Sequence, residues 1–202
     1  MFAKAPVPGT VKTRLARTLG PKGAAELHRR LVRRTLATAA AARVGPVVLA
    51  CAPDARHGFF ADCAAEFGAT LEDQGDGDLG ERMSRAFERH APALLVGTDC
   101  PALAPEDLRE GAAALGSHDL VLGPAEDGGY VLIGLRTGAP GVFEGVAWGT
   151  SNVLNRTLAN AAELGLRVQE LGLYWDVDRP ADLQRIAASL ADGAALLKDL
   201  PR

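Results

Sequence analysis

Four stretches of this chain combine residue types that can do chemistry at useful spacings. The first is Lys4-Ala5-Pro6-Val7-Pro8-Gly9-Thr10-Val11-Lys12-Thr13-Arg14-Leu15, a Pro/Gly loop leading from a short apolar start into a helical stretch. Backbone N–H groups at a helix N-terminus, with Lys12 and Arg14 in the first turns, make a site for phosphates. It is not the Gly-rich loop of the P-loop NTPases, because G-x-x-x-x-G-K-[ST] is absent. The plainer reading is a capped helix, with Thr10 as N-cap and its Lys and Arg residues on the surface. The second stretch is Leu95-Val96-Gly97-Thr98-Asp99-Cys100-Pro101. An acid directly after a buried strand points into the crevice, where its carboxylate can hold a divalent cation bridging phosphate oxygens. Its plain alternative is to bond nearby loop amides.

The third stretch is Pro124-Ala125-Glu126-Asp127-Gly128-Gly129-Tyr130. Asp-Gly before an apolar strand is an ordinary turn signal. Read functionally, Gly128 and Gly129 let the backbone approach a ligand, with Asp127 or Tyr130 touching its sugar or acceptor. The fourth is Trp175-Asp176-Val177-Asp178-Arg179-Pro180-Ala181-Asp182-Leu183. Asp178 suits an N-cap and Pro180 a first helical turn, which explains one acid but not the pair. Asp176 and Asp178 are two apart on an extended segment, so they project to one side and can meet a metal held by Asp99. The loop Gln74 to Arg82 either wraps a base or ribose or is a solvated turn, and it lacks the closing glutamate of a calcium loop. His28, His57, His90 and His118 have no metal-ligand spacing, no Ser/His/Asp or Cys/His arrangement can be read, and Cys100 reads as a small buried filler.

These residues need a frame. Apolar runs at Val47–Ala50, Leu94–Gly97, Leu120–Leu122, Tyr130–Ile133 and Arg167–Leu171 read as strands. Helical stretches lie near 22–43, 54–67, 79–90, 105–116, 151–165 and 180–191. Such alternation predicts a mainly parallel sheet covered on both faces, with ligands beyond the carboxyl ends of the strands. Met1-Phe2-Ala3-Lys4 is short for a central first strand; either the strand is truncated or the true start lies upstream.

The 202 residues are 48% hydrophobic and 23% charged, which fits one globular domain spanning 1–202. No apolar run reaches the roughly 20 residues of a membrane span, and no secretory h-region follows Met1. Three cysteines without a C-x-x-C pair fit a reducing cytoplasm. Residues 1–34 hold nine Lys or Arg against one acid, Glu26, a balance of +8; the other 168 residues carry −11. A basic opening on an acidic protein suggests a local anionic ligand rather than a nucleic acid. The bland reading has Arg29, Arg30, Arg33 and Arg34 lining the wet face of a helix.

Taken in order, the motifs resemble a bacterial family of small proteins of the GT-A (nucleotide-diphospho-sugar transferase) fold, the DUF2064 group, which carries the label of arsenosugar-biosynthesis or radical-SAM-associated glycosyltransferases. The residues that match are Phe2-Ala3-Lys4-Ala5-Pro6, Pro8-Gly9, Val11 to Leu15, Asp78-Leu79-Gly80-Glu81-Arg82-Met83, Gly97 to Pro101, Asp127 to Tyr130, Trp148-Gly149-Thr150 and Asp176-Val177-Asp178. More distantly the chain is similar to molybdenum-cofactor and 2-phospho-lactate guanylyltransferases. The resemblance implies a three-layer α/β/α sandwich on a mixed, mainly parallel seven-stranded sheet, binding a nucleotide near the first loop with Mg²⁺ or Mn²⁺. It implies Asp99, Asp176 and Asp178 at the metal, and Ala3, Lys4, Pro8, Gly9, Thr10, Lys12, Arg14, Gln74 and Asp99 at the nucleotide. Gly128, Gly129, Tyr130 and Trp148 would face the acceptor, with Lys12, Arg14 and Asp127 in catalysis. The leading expectation is glycosyl transfer from a nucleotide sugar to a small-molecule acceptor. Its rival is nucleotidyl transfer from a nucleoside triphosphate with pyrophosphate release, and a third reading is a non-catalytic nucleotide-binding regulator. The oligomeric state stays open.

Overall fold

The computed structural model describes residues 1–201, in which seven strands and seven α-helices largely alternate, β5 passing directly to β6 and α6 to α7. The strands are β1 (Phe2–Lys4), β2 (Val48–Ala52), β3 (Thr70–Asp73), β4 (Ala93–Val96), β5 (Leu120–Pro124), β6 (Tyr130–Leu135) and β7 (Val168–Glu170). The helices are α1 (Ala16–Ala42), α2 (Gly58–Phe67), α3 (Leu79–His90), α4 (Pro105–Ala114), α5 (Val153–Glu163), α6 (Pro180–Ser189) and α7 (Gly193–Leu197). The short β3 and α7 escaped the sequence reading. Thr-Leu-Glu-Asp is a partly polar edge strand with no apolar run to betray it.

The expected single seven-stranded sheet is not what forms. β1-β2-β3 make a parallel sheet of three, and β4-β6-β5-β7 a mixed sheet of four in which β6 runs antiparallel to both neighbours. A three-residue β1 hydrogen-bonds β2 along one edge and does not reach β4 with the other. Between these edges lies a cavity of about 540 Å³, bounded by Met1, Phe2, Leu95 and Val96 among others. The three-layer arrangement survives the split. Along β5 and β6, Val121 and Leu132 turn to a cluster shared with α4, while Leu120, Leu122, Ile133 and Leu135 turn to one shared with α3 and α5. That period of two, apolar on both sides, marks a sheet covered on both faces.

α1 begins at Ala16, before the stretch 22–43 read as helical but six residues after Thr10, the expected N-cap. Leu15 occupies the N-cap position, Gly20 breaks the helix at φ +72°, and Pro21 restarts it. From there Ala24, Leu27, His28, Leu31, Val32, Thr35 and Leu36 repeat at helical spacing on the buried side. The four arginines on the outer side do more than stay wet. Arg29 lies over the Phe59 ring, Arg33 pairs with Glu66, Arg34 pairs with Asp192, and Arg30 binds the carbonyls of Ala195, Leu196 and Lys198. They fasten α2 and α7 to α1. No helix among the described residues is long and apolar enough to cross a membrane.

Candidate active site

Three backbone connections bring the distant motifs together. Past β4, the Asp99 carbonyl accepts the N–H of Val177 at 2.9 Å. Past β5, the Tyr174 N–H donates to the Pro124 carbonyl, and the Tyr174 carbonyl accepts from Glu126. The segment 174–178 is therefore laid between the exits of two strands, which delivers Asp176 and Asp178 to Asp99 and Asp127. α6 then starts immediately, with Arg179 as N-cap and Pro180 at its first turn. The expected N-cap, Asp178, does not cap. The cap acceptor is Asp182, which takes the N–H groups of Asp178 and Arg179 and leaves the Asp178 side chain free for other work.

That work is with the first loop. The Lys12 ammonium lies 2.8 Å from Asp99 Oδ1, 3.4 Å from Asp178 Oδ1 and 2.5 Å from the Val177 carbonyl. Its side chain is only 3% exposed, whereas Arg14, whose Nη1 lies 3.1 Å from Asp178 Oδ2, is 68% exposed. Thr10 does not cap a helix: its hydroxyl donates to the Val7 carbonyl within a turn at Gly9, and the helix opens six residues further on. The chain at Lys12 takes φ +46°, uncommon outside glycine, so the loop presents cationic side chains and turn amides rather than a helix end.

A cleft of about 390 Å³ gathers most of the expected nucleotide residues: Ala3, Lys4, Thr10, Lys12, Arg14, Gln74 and Asp99, joined by Asp178. Pro8 and Gly9 are exposed nearby in the loop and do not line it. Gln74, 5% exposed, donates through Nε2 to the carbonyls of Ala3 and Ala50. Its remaining amide atom is Oε1, an acceptor only. His28 also lines the cleft and contacts the Lys4 carbonyl through Nε2 at 3.0 Å, with burial lowering its pKa. No metal-ligand spacing marks His28 in the sequence, but its place on the buried stripe of α1 turns it inward.

The expected acceptor residues lie elsewhere. Gly128 (φ +88°) is required by a close approach of protein to protein: a Cβ there would sit 2.1 Å from the Ser151 carbonyl oxygen. Asp127 Oδ1 accepts the Gly129 N–H at 3.0 Å, an ordinary Asx turn. Tyr130 packs among Leu122, Ile133 and Phe143, and burial raises the pKa of its phenol. Trp148 packs on Phe143 and against Gly80, where a Cβ would come within 2.9 Å of the indole. The loop before α3 is a built turn, closed by the Asp78–Glu81 capping box and by Arg82 and Arg85 bonding its carbonyls. One further clasp leaves no motif in the sequence. Arg185 of α6 grips both oxygens of Glu126 at 2.6 and 2.7 Å and lies 4.4 Å over the Trp175 ring.

The electrostatics are those of crowded acids. Burial, then the charges of Asp99 and Asp127, push the Asp176 carboxyl up to about 7. Among the described residues no three acids stand close enough to form a ready metal cage. Two of them, Asp99 and Asp178, share one ammonium. Two carboxylates suit Mg²⁺, which takes few protein ligands and completes its octahedron with waters and substrate phosphates.

The chain is similar to proteins named as transferases. A phosphoenolpyruvate guanylyltransferase from Sphaerobacter thermophilus is 33% identical over 195 residues, 92% of this chain and 91% of its own. A crystal structure from Desulfovibrio desulfuricans G20, provisionally named a nucleotide-diphospho-sugar transferase, is 31% identical with a TM-score of 0.85, covering 97% of this chain and 91% of that one. A nucleotidyl transfer enzyme from Methanothermobacter thermautotroptrophicus shares the fold at 16% identity, with a TM-score of 0.58 over 92% of this chain and 94% of that one. Residues 35–150 match the family described as "Uncharacterized protein conserved in bacteria (DUF2064)", and the chain belongs to it.

Proposed function

We propose that the protein is a nucleotidyltransferase that binds a nucleoside triphosphate in the 390 Å³ cleft and joins its nucleotidyl group to a small anionic acceptor. The observation that carries this reading is the meeting of two cations of the first loop, Lys12 and Arg14, with the carboxylates of Asp99 and Asp178. An acceptor oxygen attacks the α-phosphorus, the bond to the β-phosphate oxygen breaks, and pyrophosphate leaves. Arg14 stands where it can hold the departing phosphates, with Lys12 as the second cation of the same loop. Asp99 and Asp178 would hold the divalent ion, which supplies positive charge to the phosphates when bound. Gln74 offers its free Oε1 to a base N–H, and the guanylyltransferase relative makes GTP and phosphoenolpyruvate the first pair to try.

Glycosyl transfer is the second reading, favoured by the name of the relative with TM-score 0.85. The same residues would then stabilise a nucleoside diphosphate as it leaves a sugar. One assay separates the two: pyrophosphate release from each nucleoside triphosphate with phospho-acid acceptors, against nucleoside diphosphate release from nucleotide sugars. The proposal expects Mg²⁺- or Mn²⁺-dependent pyrophosphate, reduced about a hundredfold or more in Asp99→Asn. Diphosphate release without pyrophosphate establishes the second reading, and a nucleotide bound tightly with no turnover overturns both.

A further inference from the structure

The ammonium of Lys12 carries three N–H donors, and three acceptors surround it: Asp99 Oδ1, Asp178 Oδ1 and the Val177 carbonyl. None remains for a phosphate. Yet Lys12 belongs to the basic loop that lines the cleft. The two roles exclude each other in one conformation. We propose that Lys12 is a tethered counter-cation that closes the Asp99–Asp178 pair at rest and is displaced by a divalent ion, which frees it for the nucleotide phosphates. This rests on the reading of Asp99 and Asp178 as the divalent-ion site.

Three features suit the loop to such a movement. Lys12 holds φ +46°, a left-handed conformation that is strained for a non-glycine residue, and it sits where its three contacts can oppose that strain. The residues before it, Val7 to Thr10, are exposed, and their hydrogen bonds are local to the loop: the Val7 N–H to the Ala5 carbonyl, and the Thr10 N–H and hydroxyl to the Val7 carbonyl. After it, the kink at Gly20 separates the first turn of α1 from its long part, while the buried Val11 and Leu15 anchor the loop on either side of Lys12 and leave its side chain as the part that moves. Charge enforces the exchange. Lys12 pairs with both Asp99 and Asp178, and removing it without a replacement cation leaves Asp99 without that partner and Asp178 with Arg14 alone. A metal that arrives alone must displace a buried lysine, and a nucleotide that arrives alone meets one already engaged. Each therefore binds better with the other, a reciprocal coupling through one side chain.

The test is Mn²⁺ binding without nucleotide, read from the loss of the free-ion EPR signal, in the wild type, Lys12→Met and Lys12→Arg. Thermal melts check that each is folded. Lys12→Met, with the competing charge gone, is expected to bind Mn²⁺ at least about tenfold more tightly than the wild type, and Lys12→Arg to stay near the wild type. Equal or weaker binding by Lys12→Met overturns the tethered-cation role while leaving the acid pair standing as a metal site. Tightening in both variants also overturns it, because loosening of the loop would then be the cause. Absence of Mn²⁺ binding in all three, with or without a triphosphate, overturns it together with the divalent-ion site. A wild-type measurement covers the case of a variant that does not fold: Mn²⁺ alone should speed amide exchange at Val11–Leu15, and unchanged or slower exchange overturns the displacement.

Discussion

A single oxygen of Asp182, Oδ2, receives the backbone N–H groups of Asp178 at 2.9 Å and Arg179 at 2.6 Å. This bond pair satisfies the two N–H groups just ahead of α6 and fixes the backbone that carries Asp178 toward Asp99 and Lys12. Removing it in Asp182→Ala is expected to cost about 1 kcal/mol of stability, the usual worth of a helix cap. Asp182→Asn keeps an oxygen at the same place and should restore most of that. Urea unfolding curves measure both. If Asn proves as damaging as Ala, the loss comes from charge rather than from the shared acceptor.

Gly128 and Gly149 both take left-handed φ, +88° and +80°, but in different surroundings. A Cβ on Gly149 meets nothing within 4 Å, whereas one on Gly128 runs into the Ser151 backbone at 2.1 Å. Gly149→Ala should therefore carry only the conformational cost, about 1–2 kcal/mol. Gly128→Ala adds a clash with a backbone that cannot swing aside, and should cost a few kcal/mol more or fail to fold. Similar urea midpoints for the two variants would remove the protein-to-protein contact as the reason for glycine in this turn.

Much of this was legible in the sequence, for reasons that differ by residue. The strands β2, β4, β5 and β6 and the helices α2 to α6 announce themselves through apolar periodicity bounded by Gly and Pro. That Asp99, Lys12, Arg14 and Asp178 share one place follows from their positions just after strands or just before α6. Other features are tertiary in origin. Nothing in Asp178-Arg179-Pro180-Ala181-Asp182 says whether the first or the last acid caps, because both spacings are chemically sound. Gly128-Gly129 and Tyr130 read equally well as a ligand-binding turn, and only the 151 backbone and the Phe143 cluster decide otherwise. The split of the sheet depends on how far a three-residue strand reaches across a gap, which no periodicity records.

All three cysteines are buried and unpaired, and burial pushes the thiols of Cys51 and Cys100 up to about 12 and raises that of Cys63. At pH 8 a thiol at about 12 holds on the order of a thousandfold less thiolate than an ordinary one, and burial blocks reagent as well. Iodoacetamide should leave the native protein unlabelled over hours and label all three sites in guanidinium, as counted by intact mass. Fast native labelling at Cys100 would mean that the turn following Asp99 opens far more readily than its packing implies.

The sharpest pH dependence should come from Asp176. Its carboxyl is held near 7 when folded, by burial first and then by Asp99 and Asp127, and returns to about 4 in the unfolded chain. Between those values the folded protein keeps a proton that the unfolded chain has released. Stability therefore falls as pH rises from about 4 to about 7 and levels off above, the reverse of an acid held in a salt bridge. Asp176→Asn is neutral throughout and should remove that part of the slope. In EDTA, its melting temperature should match the wild type near pH 4 and exceed it increasingly up to about pH 8. A wild type that gains stability relative to Asp176→Asn over the same range would mean that Asp176 is charged and favourably paired when folded, so that its acid neighbours do not govern it.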